Sequence, residues 1–283
     1  MSKVDLHLHS TASDGRLSPE EVISKAAALG LAIIALADHD TVDGIVPALR
    51  EAQKFPQLKV IPAVEVSTDV PSGEVHILGY FIDYTSRELA ETLVRFRHSR
   101  ERRAQGMVAK LADLGIHIEW QRVREIADTG TIARPHIARA MLEKGYIRSI
   151  REAFDKYIGR DGPAYVEREK LTPAEAVELV VQTNGLPVMA HPLTAPEPEA
   201  MVAELKLAGL VGMEAYYNGY TIDEIERLAR LANKHGLIVT GGSDYHGLGD
   251  SDETMMGGAD VPVESAERLM ALAKQRALKI IKP

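Results

Sequence analysis

Apolar residues along this chain fall into short continuous runs separated by amphipathic stretches, and the two alternate near both ends. Val4–Leu8 reads as a short strand, and 32–37, 60–66 and 75–82 repeat that signal. Continuous apolar runs of this length are the mark of buried parallel strands. Between the first two, Ser18-Pro19-Glu20-Glu21 is a helix start: Ser18 caps, Pro19 takes the first helical position and Glu21 closes a capping box. Val22, Ile23, Ala26 and Leu29 follow at helical spacing until Gly30. The rhythm returns after residue 170. Thr172-Pro173-Ala174-Glu175 opens a helix, 187–190 is a strand, and 197–208 a helix. The segment 212–216 is a strand, Ile222–Lys234 a helix and 237–241 a strand. Repeated βα units imply a parallel sheet with helices outside it.

Residues 86–169 break that rhythm. Their pattern is helical, over 88–114, 132–143 and 150–157, with one short strand candidate at 116–120. The expectation is an α/β barrel built from 1–85 and 170–283, interrupted by a helical insertion over 86–169 that forms a substrate wall or lid.

Composition sharpens this reading in three ways. A chain of 283 residues with 45% apolar and 26% charged residues can bury a full core as one barrel. A net charge of −8 argues against a surface that coats DNA, while leaving room for a local basic pocket. The absence of cysteine removes thiolate metal sites and cysteine nucleophiles together. The start Met-Ser-Lys-Val-Asp lacks signal-peptide character, and no stretch approaches the roughly 20 apolar residues of a membrane span. A cytoplasmic enzyme is expected; the oligomeric state is left open.

The candidate chemistry lies at the ends of the apolar runs. Six of the ten histidines sit there among carboxylates: His7 and His9 in Asp5-Leu6-His7-Leu8-His9, His39 in Asp38-His39-Asp40, and His76, His191 and His246. Glu65 ends the third run, Asp14 follows the first, and Asp244 stands two residues before His246. Residues two apart on a strand face the same way, so His7 and His9 can bind together. Imidazole and carboxylate without thiolate describe a catalytic metal centre better than a structural one. The carboxyl ends of parallel barrel strands converge at one mouth, where active sites form. Asp5, Asp38 and Asp40 are expected to orient ligands from behind. His98, His117 and His235 read as ordinary structural histidines.

Taken in order, Asp5-Leu6-His7-Leu8-His9-Ser10, Ser13-Asp14-Gly15, Ala37-Asp38-His39-Asp40-Thr41, Val64-Glu65-Val66, His76, Ala190-His191-Pro192 and Gly242-Ser243-Asp244-Tyr245-His246 resemble the PHP (polymerase and histidinol phosphatase) family. The resemblance implies a distorted (β/α)7 barrel holding two or three divalent metals. It implies one metal on His7, His9, Glu65 and Asp244, a second on Glu65, His76 and His191, and a third on Asp14, His39 and His246. Asp14, His39, Glu65, His191 and His246 would then serve catalysis directly. Manganese is the favoured ion, with iron or zinc as alternatives.

The insertion is similar to that of the stand-alone bacterial branch, nucleoside 3′,5′-bisphosphate phosphatases that also act as 5′-to-3′ exoribonucleases on short RNA. Arg97, Arg100 and Arg103 recur every three residues, and Arg134 and His136 follow in Arg134-Pro135-His136. On this resemblance Arg100, Arg103, Arg134 and His136 contact substrate, arginine suiting phosphate through its planar fork. Lys156 and Arg160 are weaker candidates. The expected reaction is hydrolysis of a 3′-phosphate by metal-activated hydroxide without a covalent enzyme intermediate. Competing readings are a phosphatase for histidinol phosphate or nucleoside monophosphates, a metal-dependent amidohydrolase, and a metal-binding module without catalysis.

Overall fold

The structure, a computed structural model, describes residues 3–68, 70, 73–127, 132–167, 171–247 and 255–278. The Arg97 side chain lies outside the described residues. The chain divides into two compact units, Met1–Glu91 with Lys170–Pro283, and Thr92–Glu169.

The first unit is a seven-stranded sheet whose strands lie in chain order. They are β1 (Val4–Leu8), β2 (Ile33–Leu36), β3 (Lys59–Ser67), β4 (His76–Tyr80), β5 (Leu186–Met189), β6 (Gly212–Tyr217) and β7 (Ile238–Gly242). The ends of β1 and β7 close on each other. His9 N–H donates to the Tyr245 carbonyl at 3.0 Å, and Asp244 N–H to the His7 carbonyl at 2.9 Å. The result is a distorted (β/α)7 barrel. Its helices in this unit are α1 (Pro19–Ala28), α2 (Ile45–Ala52), α7 (Pro173–Gln182), α8 (Pro198–Ala208), α9 (Ile222–Lys234) and α10 (Val263–Gln275). Val4, Leu6, Ala35, Ala63, Leu78, Tyr80 and Val188 belong to one buried cluster, and Val22, Ile23 and Ala26 of α1 join Leu36 and Ala48 in another.

One strand departs from the expected parallel order. β4 runs antiparallel to both β3 and β5. Only residues 68–75 separate β3 from β4, too few for the crossover of a dozen or more residues that a parallel return requires. The reversal has a functional consequence. It brings the amino end of β4, with His76, to the rim where the neighbouring strands finish. Run parallel, β4 would carry His76 roughly 15 Å away at the other end of the barrel.

The second unit is helical: most of α3 (Arg87–Asp113), then α4 (Trp120–Ala127), α5 (Arg134–Glu143), α6 (Ile150–Ala153) and a π-helical turn over Phe154–Ile158. The strand expected at 116–120 does not form. Ile116 and Ile118 are buried in an extended connection with Met107, Val123, Ile137 and Met141, and Trp120 begins α4. The alternation of Ile116 and Ile118 is real, but it serves helix packing. Among the described residues no helix is long and apolar enough to cross a membrane.

Candidate metal centre

Each strand end delivers its side chain for a local reason. In β1 the alternation sends His7 inward, and His9 follows one residue past the strand; both are fully buried. Asp38 fastens the connection after β1. Its Oδ1 accepts from Ser10 N–H and the Ser13 hydroxyl, each at 2.7 Å, and its Oδ2 from the Ser10 hydroxyl at 2.7 Å, fixing the turn that carries Asp14. Asp5 accepts from Ser243 N–H at 2.8 Å and Gly257 N–H at 2.8 Å, holding the segment before Asp244. Asp40 accepts from Ser67 N–H at 2.9 Å. These three carboxylates hold backbone in place. Their grip on the site runs through the backbone that carries Asp14 and Asp244.

Glu65, fully buried on β3, is the hub. Its Oε1 lies 2.8 Å from His76 Nδ1 and 3.1 Å from His191 Nε2. Its Oε2 lies 3.0 Å from His7 Nε2, 3.3 Å from His9 Nε2 and 3.1 Å from His39 Nδ1. Asp244 Oδ1 stands 3.0 Å from His9 Nε2 and 3.4 Å from His7 Nε2. Asp14 Oδ1 stands 3.4 Å from His246 Nε2. Three groups of donor atoms result: His7, His9, Glu65 and Asp244; His39, Glu65 and His76; and His9, Asp14, His39 and His246. All nine residues expected at the centre come together at one rim of the barrel. The grouping differs from the expected one: His39, not His191, stands with Glu65 and His76, His191 joins none of the three groups although its Nε2 lies 3.1 Å from Glu65 Oε1, and His9 stands with Asp14 too. Among the described residues His98, His117 and His235 join none of these groups.

Separations near 3 Å between donors are those of ligands sharing a cation with bonds of about 2.1 Å. Several donor atoms also have no other use. Among the described residues His9 Nδ1 and Nε2, His39 Nδ1, Asp14 Oδ1 and Asp244 Oδ1 are buried without a hydrogen-bond partner, a costly state for polar atoms unless an ion satisfies them. The residues therefore fit divalent cations.

The charges respond strongly to this crowding. Burial pushes Glu65 up, but His39, His7 and His76 outweigh it and hold the carboxyl well below the usual range. Asp14 and Asp244 are lowered in the same way, against burial, by His39 and His246 for the first and by His7 and His9 for the second. Burial opposes protonation of His7, yet Glu65, Glu214 and Asp244 raise it well above its ordinary value. His39 goes the other way, to about 3, because burial dominates and His9 and His76 add to it. At neutral pH its ring keeps a lone pair for a metal.

The sequence reading missed Glu214 and Tyr217, both on β6. Glu214 is fully buried, with Oε1 3.2 Å from His7 Nδ1 and Oε2 accepting from His191 N–H at 2.7 Å. The Tyr217 hydroxyl donates to Asp244 Oδ2 at 2.8 Å. A glutamate inside an otherwise apolar strand run was the available signal.

The expected substrate contacts belong to the helical unit. Arg100 and Arg103 are buried on α3. Arg134 opens α5, its guanidinium 5.2 Å from the centre of the Phe154 ring. His136 Nδ1 accepts from Ala133 N–H at 3.0 Å, so one ring nitrogen caps that helix.

A barrel whose rim gathers nine imidazole and carboxylate side chains, with no thiolate, is the scaffold of a metal-dependent hydrolase. Comparison narrows the class. A family model of the PHP domain matches residues 5–159. The chain is 33% identical to a 3′,5′-nucleoside bisphosphate phosphatase of Chromobacterium violaceum, over 93% of each chain. It is 36% identical to a 5′-3′ exoribonuclease of Haemophilus influenzae, over 86% of this chain and 90% of the other. Among solved structures, one from Bifidobacterium adolescentis described as a metal-dependent phosphoesterase superposes with a TM-score of 0.85 at 27% identity, covering 95% of both chains. The chain belongs to the PHP family. It is a metal-dependent phosphoesterase.

Proposed function

We propose that this enzyme removes the 3′-phosphate of nucleoside 3′,5′-bisphosphates, with short 5′-phosphorylated RNA as a second substrate class. The observation that carries the reading is the hub at Glu65, whose Oε1 faces His76 and His191 and whose Oε2 faces His7, His9 and His39. The similarity to the bisphosphate phosphatase over 93% of each chain supports the choice of substrate.

In this reading His7, His9, Glu65 and Asp244 hold one divalent ion, Glu65, His76 and His191 a second, and Asp14, His39 and His246 a third. Manganese is favoured, since carboxylates and phosphate chemistry both suit it. Such ions supply acidified water and polarise phosphoryl oxygens. The residues do the rest. Glu65 holds two groups of imidazoles in register through one rigid carboxylate. Asp14 and His246, drawn together at 3.4 Å, hold the outer edge of the rim. Arg100, Arg103 and Arg134 bind phosphate through their guanidinium groups, with His136 beside Arg134 in the sequence. The helical unit is the source of these side chains, and the enzyme works in the cytoplasm.

The test is phosphate release by manganese-loaded protein from adenosine 3′,5′-bisphosphate, AMP and histidinol phosphate, with Asp14→Ala as control. Strong preference for the bisphosphate, lost in the control, is expected. Equal or better turnover of either monophosphate would overturn the substrate assignment.

A further inference from the structure

β6 supplies none of the nine donors, yet two of its side chains hold three of them. In a regular strand, residues three apart face opposite sides. Here the register slips between Glu214 and Tyr216: Glu214 pairs with Thr240, Tyr216 with Gly241 and Tyr217 with Gly242. The extra residue is a β-bulge, which turns Glu214 and Tyr217 toward the same rim. The bulge needs space on β7. A Cβ at position 241 would fall 2.1 Å from the Tyr216 carbonyl oxygen, so the position requires glycine.

We propose that Glu214 and Tyr217 are positioning residues that select which atoms of His7, His191 and Asp244 face the metal centre. The inference rests on the reading of those three residues as ligands. Glu214 Oε1 meets His7 Nδ1 at 3.2 Å. A carboxylate oxygen accepts, so Nδ1 keeps its hydrogen, and Nε2, which faces Glu65 and Asp244, is the atom left to exchange its proton for a metal. The other oxygen, Oε2, takes the His191 N–H at 2.7 Å. His191 has φ 25°, a positive value uncommon for a residue other than glycine. That bond holds it there, with Nε2 3.1 Å from Glu65 Oε1. One carboxylate thus governs a ring on β1 and a backbone after β5.

Tyr217 acts on the third ligand. Its hydroxyl occupies Asp244 Oδ2 at 2.8 Å. Oδ1 is left buried and without a hydrogen-bond partner among the described residues, 3.0 Å from His9 Nε2. Asp244 therefore offers the centre a single oxygen.

Two near-isosteric variants test this. In Glu214→Gln the amide oxygen still accepts from His191 N–H, but the amide nitrogen donates toward His7 Nδ1. The ring hydrogen is driven to Nε2, which closes that ligand atom. Tyr217→Phe removes the hydroxyl and releases Oδ2. Metal-free wild type and both variants are titrated with manganese by calorimetry, with thermal melting as the folding check. The expected result is manganese affinity lower by about 10–100-fold in E214Q and about 10-fold in Y217F, the range for partners of metal ligands. The metal-free variants still melt cooperatively as folded proteins, and excess manganese restores phosphate release. Wild-type affinity in both folded variants would overturn the positioning role and leave the centre standing. Absence of manganese binding by wild type would overturn the centre and this inference together. Should E214Q fail to fold, Y217F, on a half-buried side chain, decides alone.

Discussion

At the scale of single residues, the centre is a set of opposite charges kept in place by burial. Burial pushes His246 down, but Asp14 and Asp244 outweigh it and hold it up at about 10. His7 is raised too. A histidine raised in the folded state stabilises the metal-free protein fully below its ordinary 6.5 and loses that contribution as pH climbs toward its folded value. Metal competes with those protons. Manganese uptake at pH 7 should therefore release protons, and its apparent affinity should rise from pH 6 to pH 8. A dye recording pH in weakly buffered protein during titration checks this, and uptake without proton release would contradict the charge state described. Much of this scale was legible. The residues of the His-x-His pair, Asp14, His39, Glu65, His76, His191, Asp244 and His246 stand out because apolar runs seldom end in imidazoles. Glu214 carried a signal, a carboxylate inside an apolar strand run, but the face it shares with Tyr217 depends on a bulge that no local pattern announces.

At the scale of elements, side-chain caps were the clearest local signal in the sequence. Ser18, Thr172 and Thr221 each accept the N–H three residues on, and Glu21, Glu175 and Glu224 reach back to the cap backbone. These helices lie within a residue or two of their expected bounds. α2, α4 and α10 were not anticipated; Gly44 and Pro262, which precede the first and last of them, offer no capping side chain. The reversed β4 escaped for a related reason. An apolar run has the same composition in either direction, and only the short connection from residue 68 to 75 dictates the turn back. Caps remote from the rim provide a control on stability. Thr221→Ala should cost about 1 kcal/mol, lower the melting temperature by about 2 °C and leave phosphate release at the wild-type rate. A loss of activity matching the loss in a rim variant would show that α9 does more than pack.

At the scale of the molecule, the barrel's closure gives the centre its reach. His7 and Asp244 are 3.4 Å apart although the length of the barrel separates them in sequence. Ions held by donors from β1, β3, β4 and the segments after β2, β5 and β7 would tie the folded unit together, and an unfolded chain holds no such set. Manganese at about 100 times its dissociation constant should stabilise the protein by about 2.7 kcal/mol per site, seen as a rise in melting temperature that EDTA reverses. A melting temperature indifferent to both would count against the donor groups as metal sites.

The sequence by itself determined the ligand types, the alternation of strand and helix, and the family, because these rest on local chemistry and on spacing along the chain. It also placed most donors at strand ends. Only the tertiary structure decided that β4 reverses, that His76 thereby reaches the common rim, that Asp5, Asp38 and Asp40 hold backbone, and that a bulge in β6 aims Glu214 and Tyr217 at the ligands. Those outcomes depend on which strands become neighbours and in what register. That is settled by closing the whole sheet, since a slip of one residue turns every later side chain to the other face.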